Sequence, residues 1–312
     1  MLAAVSEAFD LGPVPQRVPV DAQLVATLVA RQFPQWRDLP VHPVADDGWD
    51  NHTFRLGDAL SVRTPSAAAY ALAVEKEHRW LPRLAPQLPL PVPVPVATGR
   101  PDAGYPFPWS VYRWLAGEPL TTAPVADPGR LAEDLAGFLL ALRAVDPEGG
   151  PGPGLHDWFR GGPLRTFDGL ATEALHVLRG RVDLDLDLAR AVWTDALETP
   201  WDGVRTWFHG DLAPGNLLVR DGRLGAVIDF GTCGVGDPAC DVAAAWTLLD
   251  PAGRQVFRDR LQLDDDTWTR GRGWALWKTL TTVASSTGRD DGTAARSLAV
   301  LDGLLEDARS PR

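Results

Sequence analysis

Residues 206–231 leave the backbone few options. They read Thr-Trp-Phe-His-Gly-Asp-Leu-Ala-Pro-Gly-Asn-Leu-Leu-Val-Arg-Asp-Gly-Arg-Leu-Gly-Ala-Val-Ile-Asp-Phe-Gly. An apolar lead-in runs into a polar loop, and the loop into a hairpin. Leu217–Val219 is a short apolar strand, and Leu224–Ile228 is the returning one. Between them Asp221-Gly222 suits a two-residue type I′ turn, which needs positive φ at both positions. If Arg220 faces Arg223, continuing the register puts Asn216 opposite Val227. Asp229 then lies on the same face as Asn216 and diagonal to it. Diagonal neighbours sit about 7–8 Å apart at the backbone and their side chains can converge.

An amide oxygen and a carboxylate meeting at the open end of a hairpin suit Mg²⁺, a hard cation that takes oxygen ligands at about 2.1 Å. A second carboxylate, Asp211, stands five residues before Asn216 in the same loop. It is placed to orient or deprotonate a hydroxyl beside such a metal, which is the chemistry of phosphoryl transfer. Asp and Asn are common in turns, so no single one of these residues is informative. The spacing of the whole set is.

This stretch resembles the catalytic core of the aminoglycoside phosphotransferase family, which includes macrolide and choline-type kinases and shares the protein-kinase-like fold. The resemblance implies Asp211 as catalytic base and Asn216 and Asp229 as Mg²⁺ ligands. It implies His209 as an organiser of the loop through backbone bonds, and Asp241 as a buttress accepting loop amides. It also implies ATP or GTP as phosphoryl donor, with Leu218 and Ile228 against the nucleotide. A surface helix carboxylate is the plainer reading of Asp241.

Upstream, Asp21 is a candidate N-cap for a helix closed by Pro34. Three short strands are expected next, around 42–44, through Thr53–Leu56 and at Leu60–Arg63, as an antiparallel sheet. In the family the first turn covers the phosphates. Here it holds one glycine, Gly48, so the cradle falls to Asn51, His52 and Thr53, unless the turn is simply exposed. A helix is expected over 67–85, with Tyr70, Val74, Glu77 and Leu81 on one stripe. A carboxylate on an apolar stripe needs a cation. Arg63 is the candidate, with Glu75 as its competing partner. Kinase-like enzymes usually carry lysine at the position of Arg63; arginine keeps the charge and adds a planar fork.

The Pro-rich stretch 86–95 reads as an extended connector into an edge strand. Trp109–Leu115 is an apolar strand broken by Gly117. By resemblance it is the hinge, with backbone at Tyr112, Arg113 and Trp114 pairing with the nucleobase. Helices follow, the clearest capped by Asp127 ahead of Pro128. Residues 147–164 are a glycine- and proline-rich loop that either shapes an acceptor pocket or is a flexible insertion. Two more helices are expected near 165–180 and 184–198, and a helical tail from Pro251 to Arg309 with Trp274, Trp277 and Thr281 on one face. Gly231 and the N-cap candidate Asp237 are too close for a protein-kinase activation segment, which favours a small-molecule acceptor.

The resulting expectation is an α+β, bilobal protein-kinase-like chain. Residues 1–113 form a nucleotide-binding lobe and 114–312 a helical catalytic lobe. The reaction is transfer of a γ-phosphoryl group to a hydroxyl of a small molecule, of the aminoglycoside or macrolide type. A metabolite kinase, or a silent nucleotide-binding regulator on the same fold, are the alternatives. The net charge of −11 argues against nucleic acid. It is compatible with a cationic substrate, for which Asp264, Asp265, Asp266, Asp290 and Asp291 are candidate contacts. No apolar run long enough to span a membrane occurs and no secretory leader is expected. Cys233 and Cys240 fit a reducing cytoplasm and form neither a disulfide framework nor a zinc site. The two lysines, Lys76 and Lys278, among many arginines read as compositional bias.

Overall fold

The computed structural model describes residues 15–45, 48–286 and 292–309. Asp290 and Asp291 lie outside the described residues, as does part of the turn before Gly48. Helix α1, Ala22–Gln32, starts where Asp21 Oδ1 accepts the Leu24 amide at 2.7 Å, and it packs Val25, Leu28 and Val29 inward. Strands β1 (Val41–Pro43), β2 (Asn51–Leu56) and β3 (Leu60–Pro65) follow, then α2 (Ala68–Leu84), β4 (Pro95–Gly99) and β5 (Trp109–Arg113). The five strands form one antiparallel sheet in the order β1-β2-β3-β5-β4. The proline-rich connector thus delivers β4 to an edge, where missing amide donors cost least. Phe54, Leu56, Val62, Trp109 and Val111 join α1 in a small apolar core on one face of the sheet.

Everything after β5 is mainly helical, apart from short strands beneath the cleft. The elements are β6 (Glu118–Pro119), α3 (Pro128–Ala144), α4 (Asp168–Leu178), α5 (Leu186–Glu198), β7 (Thr206–Phe208), β8 (Leu217–Arg220), β9 (Arg223–Val227) and β10 (Gly234–Gly236). Then come α6 (Ala239–Val242), α7 (Ala244–Thr247), α8 (Pro251–Leu261), α9 (Asp265–Ser286) and α10 (Thr293–Arg309). Asp127 accepts the Gly129 and Arg130 amides and so starts α3. Helix α9 is buried on most sides, packing on α4, α5, α6 and α10, and it runs beneath the catalytic loop. The second, larger core gathers α3, α5, α9 and the hairpin, and it takes in Trp80, Leu81 and Leu84 of α2 together with Tyr112. The chain is an α+β molecule with an antiparallel-sheet N-terminal lobe and a helical C-terminal region. No helix among the described residues is long and apolar enough to cross a membrane.

The hairpin β8–β9 differs from the expected register by one residue. Asp221 (φ 53°) and Gly222 (φ 74°) make the turn, and Arg220 faces Arg223. A bulge between Leu218 and Val219 then shifts the pairing, so Leu217, not Asn216, faces Val227. Gly225 is the extra residue, and a bulge adds local twist. Asn216 instead accepts the Ile228 amide on its carbonyl at 2.9 Å, one step from Asp229.

Gly99 on β4 lies flat against the Trp109 ring, and a Cβ there would overlap the indole. Gly99→Ala is therefore expected to cost about 1–3 kcal/mol by overpacking. A urea melt of the variant against the parent measures it.

Candidate active site

The loop between β7 and β8 is built on one buried carboxylate. Asp241 of α6 accepts the His209 amide at 2.8 Å and the Gly210 amide at 2.7 Å. Both oxygens are spent on holding the loop, and burial pushes the Asp241 carboxyl up against those bonds. His209 is fully buried. Its Nε2–H donates to the Ile228 carbonyl at 3.0 Å, and its Nδ1 accepts the Asp211 amide at 3.2 Å. The imidazole thus ties the loop to the end of the hairpin through backbone alone. Gly210 sits at φ 85° against the Thr232 carbonyl, where a side chain has neither the conformation nor the room.

Asp211 projects from this loop into a pocket. Asn216 Nδ2 donates to the Asp211 carbonyl at 2.9 Å and to its Oδ2 at 3.2 Å. Lys278 of α9 donates to Oδ1 at 2.6 Å. Burial alone would raise the Asp211 carboxyl; Lys278, then Arg160 and His209, overcome that and hold it at about 2. The group is an anion at any physiological pH, so it orients a hydroxyl more strongly than it pulls its proton.

Asp229 faces the sheet. Arg63 of β3 donates to its Oδ1 at 2.8 Å, and the same guanidinium stands 3.7 Å from Glu77 Oε1 on α2. The expected Arg63–Glu77 pair is therefore present, but the shorter contact is to Asp229. Glu75 is exposed and takes no part. Tyr112 donates its hydroxyl to Glu77 Oε2 in a very short bond. Asp229 adopts the left-handed conformation (φ 65°, ψ 71°), unusual for a residue with a Cβ. Such strain costs on the order of 1–3 kcal/mol and persists where the surroundings enforce it.

These groups suit a hard cation. Asn216 spends its nitrogen on Asp211, which leaves its amide oxygen for a metal. Asp229 gives one oxygen to Arg63 and keeps the other. Among the described residues no group of three or more His, Cys, Asp or Glu side chains is placed to hold a metal. Mg²⁺ bound through one or two protein oxygens plus phosphate needs none.

The other expected nucleotide contacts fall as follows. Asn51, His52 and Thr53 lie half-buried on β2 opposite Pro65, Thr64 and Arg63. His52 already holds the Val18 carbonyl at 3.1 Å, and the Thr64 hydroxyl donates to the His52 carbonyl. The amides of Arg113 and Trp114 are committed to the Val94 and Ala59 carbonyls, and Tyr112 pairs on both sides within the sheet. The amides at 113 and 114 therefore do not face a base, which corrects that expectation; the free backbone begins at Leu115. Just beyond, Gly117 presses on Leu218, which is buried beneath the connection. Ile228 is half-buried at the end of β9.

Sequence reasoning missed three cations. Lys76, dismissed as composition, is buried on α2. Its ammonium donates to the carbonyls of His156 (3.1 Å), Gly231 (2.7 Å) and Cys233 (3.0 Å) and meets His156 Nδ1 at 3.1 Å. It joins α2, the 147–164 loop and the segment after Asp229. It lies off the Tyr70–Leu81 stripe, one turn before the buried Trp80, and that i, i+4 pairing was the available signal. Lys278 is the second. The third, Arg160, comes from the 147–164 loop. Its Nε donates to the Gly210 carbonyl at 3.2 Å, and its guanidinium lies 4.6 Å from the Trp277 ring. The two residues before it, Trp158 (φ 54°) and Phe159 (φ 57°), are both left-handed. The loop is thus a held structural piece that aims Arg160 at the pocket. The expected acidic contacts are elsewhere: Asp264 caps α9 through the Thr267 amide, and Asp265 pairs with Arg258. Both cysteines are free and buried, with thiols pushed up by burial, Cys233 to about 12.

A carboxylate held in a braced loop, an Asn and an Asp each with an oxygen left over, and a sheet arginine on that Asp are the parts a phosphotransferase site would need. The sequence model of the APH phosphotransferase enzyme family matches residues 41–274, well over half of the chain, and the chain belongs to that family. No curated protein matches the sequence closely enough to count as a relative. Among solved structures, the GDP complex of aminoglycoside 2′-phosphotransferase-IIIa superposes with a TM-score of 0.66 at 20% identity, covering 93% of this chain and all of that one. Macrolide 2′-phosphotransferase MphH from Brachybacterium faecium, an apoenzyme, gives 0.59 at 21% identity over 94% of this chain and all of that one. The streptomycin–ATP complex of APH(2″)-IIa gives 0.57 at 18% identity over 91% and 96%. At these identities the likeness is one of fold.

Asp157, in the same loop, is fully buried with one oxygen on the Gly154 amide and the other without a hydrogen bond, 3.9 Å from His156 Nε2. Burial raises its carboxyl from 3.8 to about 7. The folded state then holds a proton that the unfolded chain has lost, so this group costs stability as pH rises from about 4 through 7. Asp157→Asn should be more stable than the parent at pH 8, on the order of 1–4 kcal/mol, with the gap closing at pH 4. Urea melts across pH check it.

Proposed function

We propose that this protein transfers the γ-phosphoryl group of ATP or GTP to a hydroxyl of a small molecule. The observation that carries the reading is Asp211: a half-buried anion in a loop braced by Asp241 and His209, bonded to Asn216, and open to a pocket. Residues 1–113 act as the nucleotide lobe and 114–312 as the catalytic and acceptor lobe. Asn216 and Asp229 would hold Mg²⁺, which would supply charge neutralisation for the nucleotide phosphates.

The chain's own residues do the rest. Arg63 releases Asp229 and takes phosphate oxygens, since its planar fork suits either anion. Glu77 and Tyr112 keep the guanidinium in place. Asn51, His52 and Thr53 line the nucleotide side from β2, and Leu218 with Ile228 supports the base. The carbonyls of Tyr112, Arg113 and Trp114 lead into the connection beside it. Asp211 fixes the acceptor hydroxyl in line and accepts its proton as the bond to phosphorus forms. In a loose transition state that proton moves late, so a carboxylate with a low pKa suffices. Orientation and charge neutralisation supply most of the acceleration.

The titles of the solved neighbours name aminoglycosides and macrolides, which supports an antibiotic acceptor for this chain. A metabolite acceptor is the second reading. It is favoured by Arg160 and Lys278, two cations on the wall where a polycation would have to sit.

Asp211→Asn should lower turnover, and the slow acceptor-free hydrolysis of nucleotide, by about 10²–10⁴-fold. Nucleotide affinity should stay within a few-fold. Product release with either nucleotide, alongside titration calorimetry, measures both. Retained turnover in the variant rules out the assigned role.

A further inference from the structure

The pocket beside Asp211 is rich in donors and poor in free acceptors. Its wall carries Arg160, Lys278, Trp274 and Trp277 from the loop and α9. Its two carboxylates are already used. Asp211 takes Lys278 and Asn216, and Asp241 takes two backbone amides. Arg160 differs from Lys278 in having no carboxylate in direct contact; Asp211, Asp157 and Asp50 act on it only at longer range. Among the described residues no carboxylate lies within 4.0 Å of its guanidinium. Its Nε is bonded to Gly210, while neither terminal nitrogen has a hydrogen-bond partner or is sealed from solvent. The indole N–H groups of Trp274 and Trp277 are buried without a partner. Guanidinium stacked on Trp277 leaves its edge free, and that edge matches the two oxygens of a carboxylate.

Resting on the kinase reading above, we propose that the acceptor carries an anionic group, a carboxylate or its equivalent, that docks on Arg160 while its hydroxyl reaches Asp211 and its body lies on Trp274 and Trp277. A polycation would meet Arg160 and Lys278 on this wall and would have to reach past them to Asp50, the carboxylate that faces Asp211 and Arg160 from the N-terminal lobe. The two consecutive left-handed residues before Arg160 fit this role, because they aim one side chain into the pocket from a loop otherwise held by Lys76.

Three probes of one shape test the charge: 4-(hydroxymethyl)benzoate, 1,4-benzenedimethanol and 4-(aminomethyl)benzyl alcohol. Each is titrated into the full chain with Mg²⁺ and a non-hydrolysable nucleotide, and binding is read by ligand-observed NMR. The benzoate is expected to bind at least about tenfold more tightly than the neutral diol, the amine most weakly, and kanamycin not at all. Arg160→Gln should erase the benzoate preference, and Arg160→Lys should keep part of it, which separates lost charge from a damaged fold. A preference for the amine or kanamycin, a benzoate preference unchanged in Arg160→Gln, or no binding by the benzoate each overturns the proposal. None of these touches the kinase reading, which stands or falls on Asp211-dependent nucleotide hydrolysis without any acceptor.

Discussion

One guanidinium joins the two halves of this molecule. Arg63 leaves the third strand of the sheet and meets Asp229 at the end of the hairpin at 2.8 Å, with Glu77 behind it. Glu77 is buried and would be left unpaired without this cation, while the contact to Asp229 is half-buried and partly screened by solvent. Arg63 therefore sets where sheet and hairpin sit relative to each other. It also keeps the strained Asp229 in place while no cation is bound. Lys76, the residue before Glu77, does the same for backbone: three carbonyls from two segments converge on one ammonium. Charges whose partners lie on opposite sides thus tie the two halves together across the cleft.

Much of this was legible in residues 206–231. A type I′ turn can be read from Asp221-Gly222 because so few residues tolerate positive φ twice, and the His-Gly-Asp loop carries its spacing openly. Caps at Asp21 and Asp127 were readable for the same local reason. The bulge was not, since an extra residue at Gly225 is a response to sheet twist and leaves no distinct pattern. The cations were the larger loss. Lys278 is sixty-seven positions from Asp211 and meets it only because α9 runs under the loop. Arg160 sits in a stretch whose glycines and prolines read as flexible, though Lys76 and the stacking on Trp277 fix it.

The hinge shows a different limit. Tyr112 to Trp114 lie in the right strand, but a strand between two neighbours spends its amides on them, and only topology reveals that β5 is interior. The acidic net charge says little about the pocket itself. Local charge at the pocket comes from which side chains remain unpaired, and Asp264 and Asp265 of the helical tail are taken up by a cap and by Arg258.

The account depends on Asp229 being released from Arg63 to a metal-bound nucleotide. Calorimetric titration of ATP and GTP with and without Mg²⁺, in the parent and in Asp229→Asn, tests this most directly. The expected result is nucleotide affinity that rises with Mg²⁺ in the parent and ignores Mg²⁺ in the variant. Equal Mg²⁺ dependence in both, or none in either, would contradict it.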